Sequence, residues 1–103
     1  MKVVAVTACP TGIAHTYMAA EALKKAALQL KLAIKIETQG ALGIDNPLSD
    51  RDIAQASMVV IAADVGIEHE ERFAHRSVIR VSMQSVLTDA TAVLRQVQHY
   101  VQA

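Results

Sequence analysis

Cys9 is the single cysteine of the chain, in the segment Cys9-Pro10-Thr11-Gly12-Ile13-Ala14-His15-Thr16, between an apolar run and a helical pattern. A thiol attacks as its thiolate, and a helix N-terminus favours that anion through unpaired N–H groups and its positive dipole end. Pro10 restricts the turn, Gly12 permits close backbone approach, and Thr11 and Thr16 add hydroxyls, so Pro10 to Thr16 reads as an anion cradle able to hold a phosphoryl group on Cys9. His15 supplies a cationic or donor side chain beside it. The competing reading is a structural cysteine buried behind a tight turn, a common place for an unoxidised thiol.

Such a cradle needs a strand before it and a helix after it. Lys2 to Thr7 is a Val-rich apolar run, as in a central parallel strand. From Ile13 to Leu32 the spacing turns helical, with Ala19, Leu23, Ala26 and Leu30 on one stripe, Lys24 and Lys31 opposite, and Glu21 placed to pair with Lys25. Ala33 to Thr38 alternates apolar and polar, which predicts an edge strand with one wet face; Gln39-Gly40 ends it and Gly43 to Pro47 reads as loop. Ser49 is placed to cap a short helix with Asp50 and Asp52 in its first turn and Ile53 and Ala56 facing inward. Met58 to Ala63 is a second buried strand, Ser77 to Ser82 another, and Ala90, Val93, Leu94, Val97 and Val101 recur at helical spacing behind a Thr88 cap. Strands alternating with helices predict an α/β three-layer sandwich, a small four-stranded parallel sheet with helices on both faces and a P-loop-like Cys loop after the first strand.

Residues 1–103 hold one hydrophobic core's worth of chain and read as one domain. Ten Lys and Arg balance ten Asp and Glu, and the aromatics are Tyr17, Phe73 and Tyr100 alone, so the basic, aromatic-laced face of a nucleic-acid binder is missing. With no second cysteine there is no internal disulfide, and a reducing cytoplasm suits the chain. The uncharged stretch Ile53 to Ala63 is far shorter than the roughly 18 apolar residues of a spanning helix. Val6-Thr7-Ala8-Cys9 looks like the end of a lipoprotein signal, but the apolar run before it falls short of the roughly 7 to 15 residues such a signal needs.

Asp64 ends the third strand on the same sheet edge as Cys9, which makes it a candidate rim residue or an ordinary turn residue. Glu68-His69-Glu70-Glu71-Arg72 places its acids and histidine side by side, not at ligand spacing, so a charged surface is expected there and no metal. His75 and His99 carry no motif.

Val4 to Leu23, running through Ala8-Cys9-Pro10-Thr11-Gly12-Ile13-Ala14-His15-Thr16, closely resembles the signature of the fructose-type enzyme IIB component of the bacterial PEP-dependent sugar phosphotransferase system. The likeness continues in Ile36-Glu37-Thr38-Gln39-Gly40, in Ala62-Ala63-Asp64 and in Arg72-Phe73. It implies a protein-phosphocysteine–sugar phosphotransferase without cofactor. Cys9 would accept a phosphoryl group from a phosphohistidine of the IIA component and pass it to a fructose-like sugar carried by the membrane IIC component. The chain would then be cytoplasmic and meet the inner membrane face through IIC, without inserting, and its start at Met1 favours an independent subunit. Arg72 joins Asp64 as a candidate rim residue. The family's loop is similar in shape to the Cys-x5-Arg loop of low-molecular-weight tyrosine phosphatases, but His15 occupies the sixth position after Cys9. Without an arginine fork the loop suits holding a thiophosphate better than hydrolysing it; a thiol phosphatase, an arsenate reductase and a non-covalent anion-binding module remain the alternatives. Ala74-His75-Arg76 departs from the Gly-Lys pair expected after Arg72-Phe73, which leaves the sugar and the partner preference open.

Overall fold

The computed structural model describes residues 1–9, 13–41 and 43–102, so the expectations for Pro10, Thr11 and Gly12 lie outside the described residues. Val3 to Val6 have no solvent exposure, and they alternate between two cores, Val3 and Ala5 in one, Val4 and Val6 in the other. This is how a strand covered on both faces behaves. The strand is β1 (Lys2–Ala8), and it pairs in parallel with β2 (Ala33–Gly40) and β4 (Met58–Ala63), which pairs in parallel with β5 (Val78–Val81). A short β3 (Gly43–Asp45) runs antiparallel to β2 and completes the sheet order β3-β2-β1-β4-β5.

Helices α1 (Ile13–Gln29) and α3 (Met83–Gln102) cover one face through Ala19, Leu23, Val86, Leu94 and Val97. The short α2 (Asp50–Gln55) and a 3-10 turn at Glu70–Phe73 cover the other through Ile53 and Phe73. Each fully buried Val, Leu or Ile contributes about 1.5–3 kcal/mol, against less than about 1 kcal/mol for an exposed ion pair such as Glu21 with Lys24. The two apolar clusters therefore hold the layers together.

The expected three-layer α/β class is present, with four differences. The sheet is five-stranded and mixed, because Gly43 at φ 109° reverses the chain where a loop is expected and lets three residues pair back onto β2. β2 is consequently not an edge, and its residues Ile36 to Gln39 are all buried. Helix α1 stops short of Leu32, because Lys31 takes a left-handed conformation (φ 57°) and the Leu32 N–H returns to the Ala27 carbonyl at 2.8 Å. In α3 the cap is Asp89 and not Thr88: Asp89 is extended (φ −157°, ψ 82°), interrupts the helix, and its carboxylate accepts from the Ala92 N–H at 3.0 Å. Ser49 caps α2 as its spacing requires, in a reciprocal box with Asp52. Lys35 and then Ser49 hold the Asp52 carboxyl far below the usual carboxylate range.

Candidate functional site

The chain leaves β1 for β2 on one side and returns to β4 on the other, so the strand order diverges at the carboxyl ends of β1 and β4. Open α/β sheets form their binding crevice at such a point. Cys9 is the first residue past β1, half-buried, directly beyond the register pair Ala8 and Ala63. Asp64 is the first residue past β4.

The start of α1 lies beside Cys9. Helix α1 begins at Ile13, so the N–H groups of Ile13, Ala14 and His15 find no carbonyl partner within the helix. His15 is exposed, with Nδ1 3.9 Å from the Cys9 Sγ, within reach of a weak sulfur contact and close enough for a charge on either group to be felt by the other. Thr16 is buried; its carbonyl accepts from the Thr7 hydroxyl at 3.1 Å, while its own hydroxyl is buried without a partner. Exposed Tyr17 donates to Asp45 at the end of β3, fastening α1 to the β2–β3 hairpin, and this bond raises the phenol's pKa above its ordinary 10.0.

An open pocket of about 300 Å³ lies beside Cys9, bounded by Gln39 and Gly40 at the end of β2, Gly43, and Val65, Gly66 and Glu68 beyond β4. Its far wall rests on an ion pair. Glu37 is fully buried, and its carboxylate accepts from both terminal nitrogens of Arg72, at 2.8 and 2.6 Å, and from the Leu48 N–H at 2.9 Å. Gln39 Nε2 donates to Glu37 Oε2 at 2.8 Å and to the Glu68 carbonyl at 3.0 Å, while Gln39 Oε1 accepts from the Glu68 N–H at 2.8 Å. Burial pushes the Glu37 carboxyl up, but Arg72, Gln39 and Leu48 together hold it below its ordinary 4.5.

The structure thus brings Cys9, Ala14, His15 and Thr16 together at the sheet edge and separates the two candidate rim residues from the pocket lining. The Asp64 carboxylate turns toward α3 and accepts from the Met83 N–H at 3.3 Å, which is the turn-and-cap role. The Arg72 guanidinium turns inward to Glu37 and stacks over Phe73, 4.7 Å from the ring centre. The charged segment splays apart: Glu70 pairs with Arg80 at 2.6 Å and His69 is left-handed at φ 59°. Among the described residues no group of three His, Cys, Asp or Glu side chains converges as a metal site, and no helix is long and apolar enough to cross a membrane. Glu37 reads as a wet-face residue of an alternating strand and Gln39 as its end; the pairing of Glu37 with an arginine 35 positions away leaves no local trace in the sequence.

Residues 4–96 match the family described as PTS system, Lactose/Cellobiose specific IIB subunit. The chain is 46% identical over 97 residues to the PTS system fructose-like EIIB component 2 of Escherichia coli (strain K12), covering 94% of this chain and 92% of that one. It superposes with a TM-score of 0.92 on the solution structure of the enzyme IIB subunit of a PTS system from Escherichia coli K12, at 40% identity over 98% of this chain and 94% of the other. A domain of the fructose-specific IIABC component of Borrelia burgdorferi gives 0.87 at 40% identity, covering 92% and 90%.

Proposed function

The chain belongs to the IIB family of the sugar phosphotransferase system, in its fructose-like group, and we propose on that footing that Cys9 is the residue that carries the phosphoryl group. Its place past the central strand, with α1's first turn and His15 beside it, is the observation that carries the reading. The thiolate attacks the phosphorus of a phosphohistidine on the IIA component; the S–P bond forms as the N–P bond breaks, and the imidazole leaves with the electron pair. A hydroxyl of a fructose-like sugar held by the membrane IIC component then attacks the same phosphorus. The S–P bond breaks, the thiolate is regenerated and the hydroxyl proton is released. Backbone N–H groups of the Pro10 to Thr16 segment would hold the three equatorial oxygens, with little further chemistry required of the protein. Receiving the phosphoryl group from the IIA component and passing it on at the inner membrane face through IIC fits a cytoplasmic chain.

His15 supports transfer over hydrolysis. A single imidazole near the thiol offers charge without the two-pronged clamp of an arginine. The test is to incubate the protein with a phosphorylated fructose-type IIA donor and, separately, with a chromogenic phosphate ester. A phosphoryl adduct on Cys9 by intact-protein and peptide mass spectrometry, without ester turnover, is the expected outcome. Turnover would make the protein a thiol phosphatase, and neither adduct nor turnover a non-covalent anion-binding module.

A further inference from the structure

Glu37 is a charged side chain without solvent exposure, and among the described residues its partners connect it to the pocket beside Cys9 through one neighbour, Gln39. We infer that Glu37 is a positioning residue for that pocket: its carboxylate sets the orientation of the Gln39 amide, and Gln39 then pins the Glu68 backbone that forms the facing wall. The inference rests on the proposed role of Cys9 for its consequence in phosphoryl transfer, but not for its geometry.

The argument follows from what each group can donate. An ionised carboxylate only accepts, so the side of Gln39 that meets Glu37 Oε2 must be its amino group. That leaves Gln39 Oε1 for the Glu68 N–H, while the second Nε2 proton reaches the Glu68 carbonyl. Gln39 thereby pairs with residue 68 in both directions, as a strand neighbour would, at a position where the 68–73 segment has no ladder of its own. The opposite amide orientation would set carbonyl oxygen against both the Glu37 carboxylate and the Glu68 carbonyl, and N–H against N–H, three repulsive contacts in place of three hydrogen bonds. Arg72 secures the arrangement from behind, since its paired contacts keep Glu37 ionised, and its Nε donates to the His69 carbonyl at 2.9 Å, folding the segment back on itself. Glu37 and Arg72 do not line the pocket, whereas Gln39 and Glu68 share it with Cys9. A displacement of that wall by even about 1 Å is enough to cost on the order of a hundredfold in a reaction that depends on in-line approach.

The test uses Gln39→Met and Glu37→Gln in the full chain. Gln39→Met keeps side-chain length and leaves the Glu37–Arg72 pair in place, so it separates wall position from overall stability. Hydrogen exchange at the Glu68 amide, read by NMR, is expected to rise at least about tenfold in both variants as its acceptor is lost or reoriented, and the rate constant for phosphoryl transfer from a phosphorylated fructose-type IIA donor to Cys9 to fall about ten- to a hundredfold. The double variant should transfer no more slowly than Gln39→Met alone, because both substitutions act through one wall. Unchanged Glu68 exchange in Gln39→Met overturns the inference, and so does faster exchange with wild-type transfer. Should the wild-type chain accept no phosphoryl group, the proposed role of Cys9 fails instead; iodoacetamide alkylation of Cys9 then serves as the second readout, and an identical rate in wild type and Gln39→Met sinks the positioning role.

Discussion

The two walls of the Cys9 pocket are built in opposite ways. The near wall is local: Cys9 directly follows β1, and α1, which begins at Ile13, brings His15 to 3.9 Å from its thiol. The far wall is Gln39 and Glu68, 29 positions apart, backed by the buried Glu37–Arg72 ion pair, 35 positions apart. Among the described residues the near side has a thiol and an imidazole but no buried charge pair of its own; the far side has the charge but offers no nucleophile. Chemistry and rigidity are thus divided between a local motif and a non-local network, and the two should respond differently to the same kind of damage.

The largest separation is expected from Cys9→Ser. Serine is nearly isosteric, but a helix terminus does not ionise its hydroxyl at neutral pH, so phosphoryl acceptance from the IIA donor should vanish while the unfolding midpoint in urea stays within experimental spread of wild type. An adduct retained on the serine variant, or one that maps to His15, would remove Cys9 from the proposed role.

Damage to the far wall should do the reverse in stability. Glu37 is fully buried and the Arg72 side chain is only 18% exposed, so Arg72→Ala strands a carboxylate in the core and should cost about 3–5 kcal/mol. Its pH dependence carries the sign. In the wild type the Glu37 carboxyl lies below its ordinary 4.5 when folded, so its stabilisation is present above that value and is lost as pH falls through the folded pKa. In Arg72→Ala, burial dominates and raises the folded pKa, so that variant loses stability as pH rises past 4.5. The gap between the two proteins, measured by urea unfolding, should therefore narrow from pH 7 toward pH 4. A gap that stays constant would mean that Glu37 is not the titrating group.

These outcomes bear on what a sequence can disclose. The strand, the turn residues and the helical stripe around Cys9 are adjacent in the chain, and the Ser49 cap and the two Val-rich strands are legible for the same reason: their signals are periodic or local. Glu37 looked like one polar member of an alternating edge strand, since alternation reports only which face a residue takes and not what covers that face. The cover is Arg72, brought over by a 3-10 turn after a left-handed His69. The three-residue β3 failed in the other direction, too short to show any period, so a pairing segment read as loop. Asp64 follows β4 and Arg72 lies in the turn beyond it, but the direction of each side chain depends on partners, the Met83 N–H and Glu37, that no pattern announces.

A smaller effect probes the near wall without removing its thiol. If the N–H groups of α1's first turn stabilise the thiolate, the Cys9 pKa should fall from the unperturbed value near 8.5 into the range of about 3.5 to 7.5 found for activated cysteines. Iodoacetamide alkylation against pH gives the midpoint directly, and His15→Ala should raise it, because the ring nitrogen 3.9 Å from the thiol is then gone. Gln39→Met should leave the midpoint where it is, since the far wall controls access and not acidity. A midpoint at or above 8.5 in the wild type would favour the structural reading of the thiol.

The smallest effect concerns the outer surface of the far wall. Glu70 is half exposed and pairs with exposed Arg80, so Glu70→Lys should change unfolding free energy by less than about 1 kcal/mol, unlike Arg72→Ala two residues away. Its consequence should lie in encounter: exposed charge near the mouth of a docking site alters association rate more than the step that follows. The bimolecular rate of transfer from the IIA donor should therefore shift at low salt and return toward the wild-type value as added salt shortens the Debye length to about 3 Å at 1 M, while the lifetime of the isolated phosphoprotein stays the same. Equal rates at low salt would place Glu70 outside the donor's path. A shortened phosphoprotein lifetime would mean instead that the 68–73 segment reaches the phosphate itself, and the division between a chemical near wall and a purely positioning far wall would no longer hold.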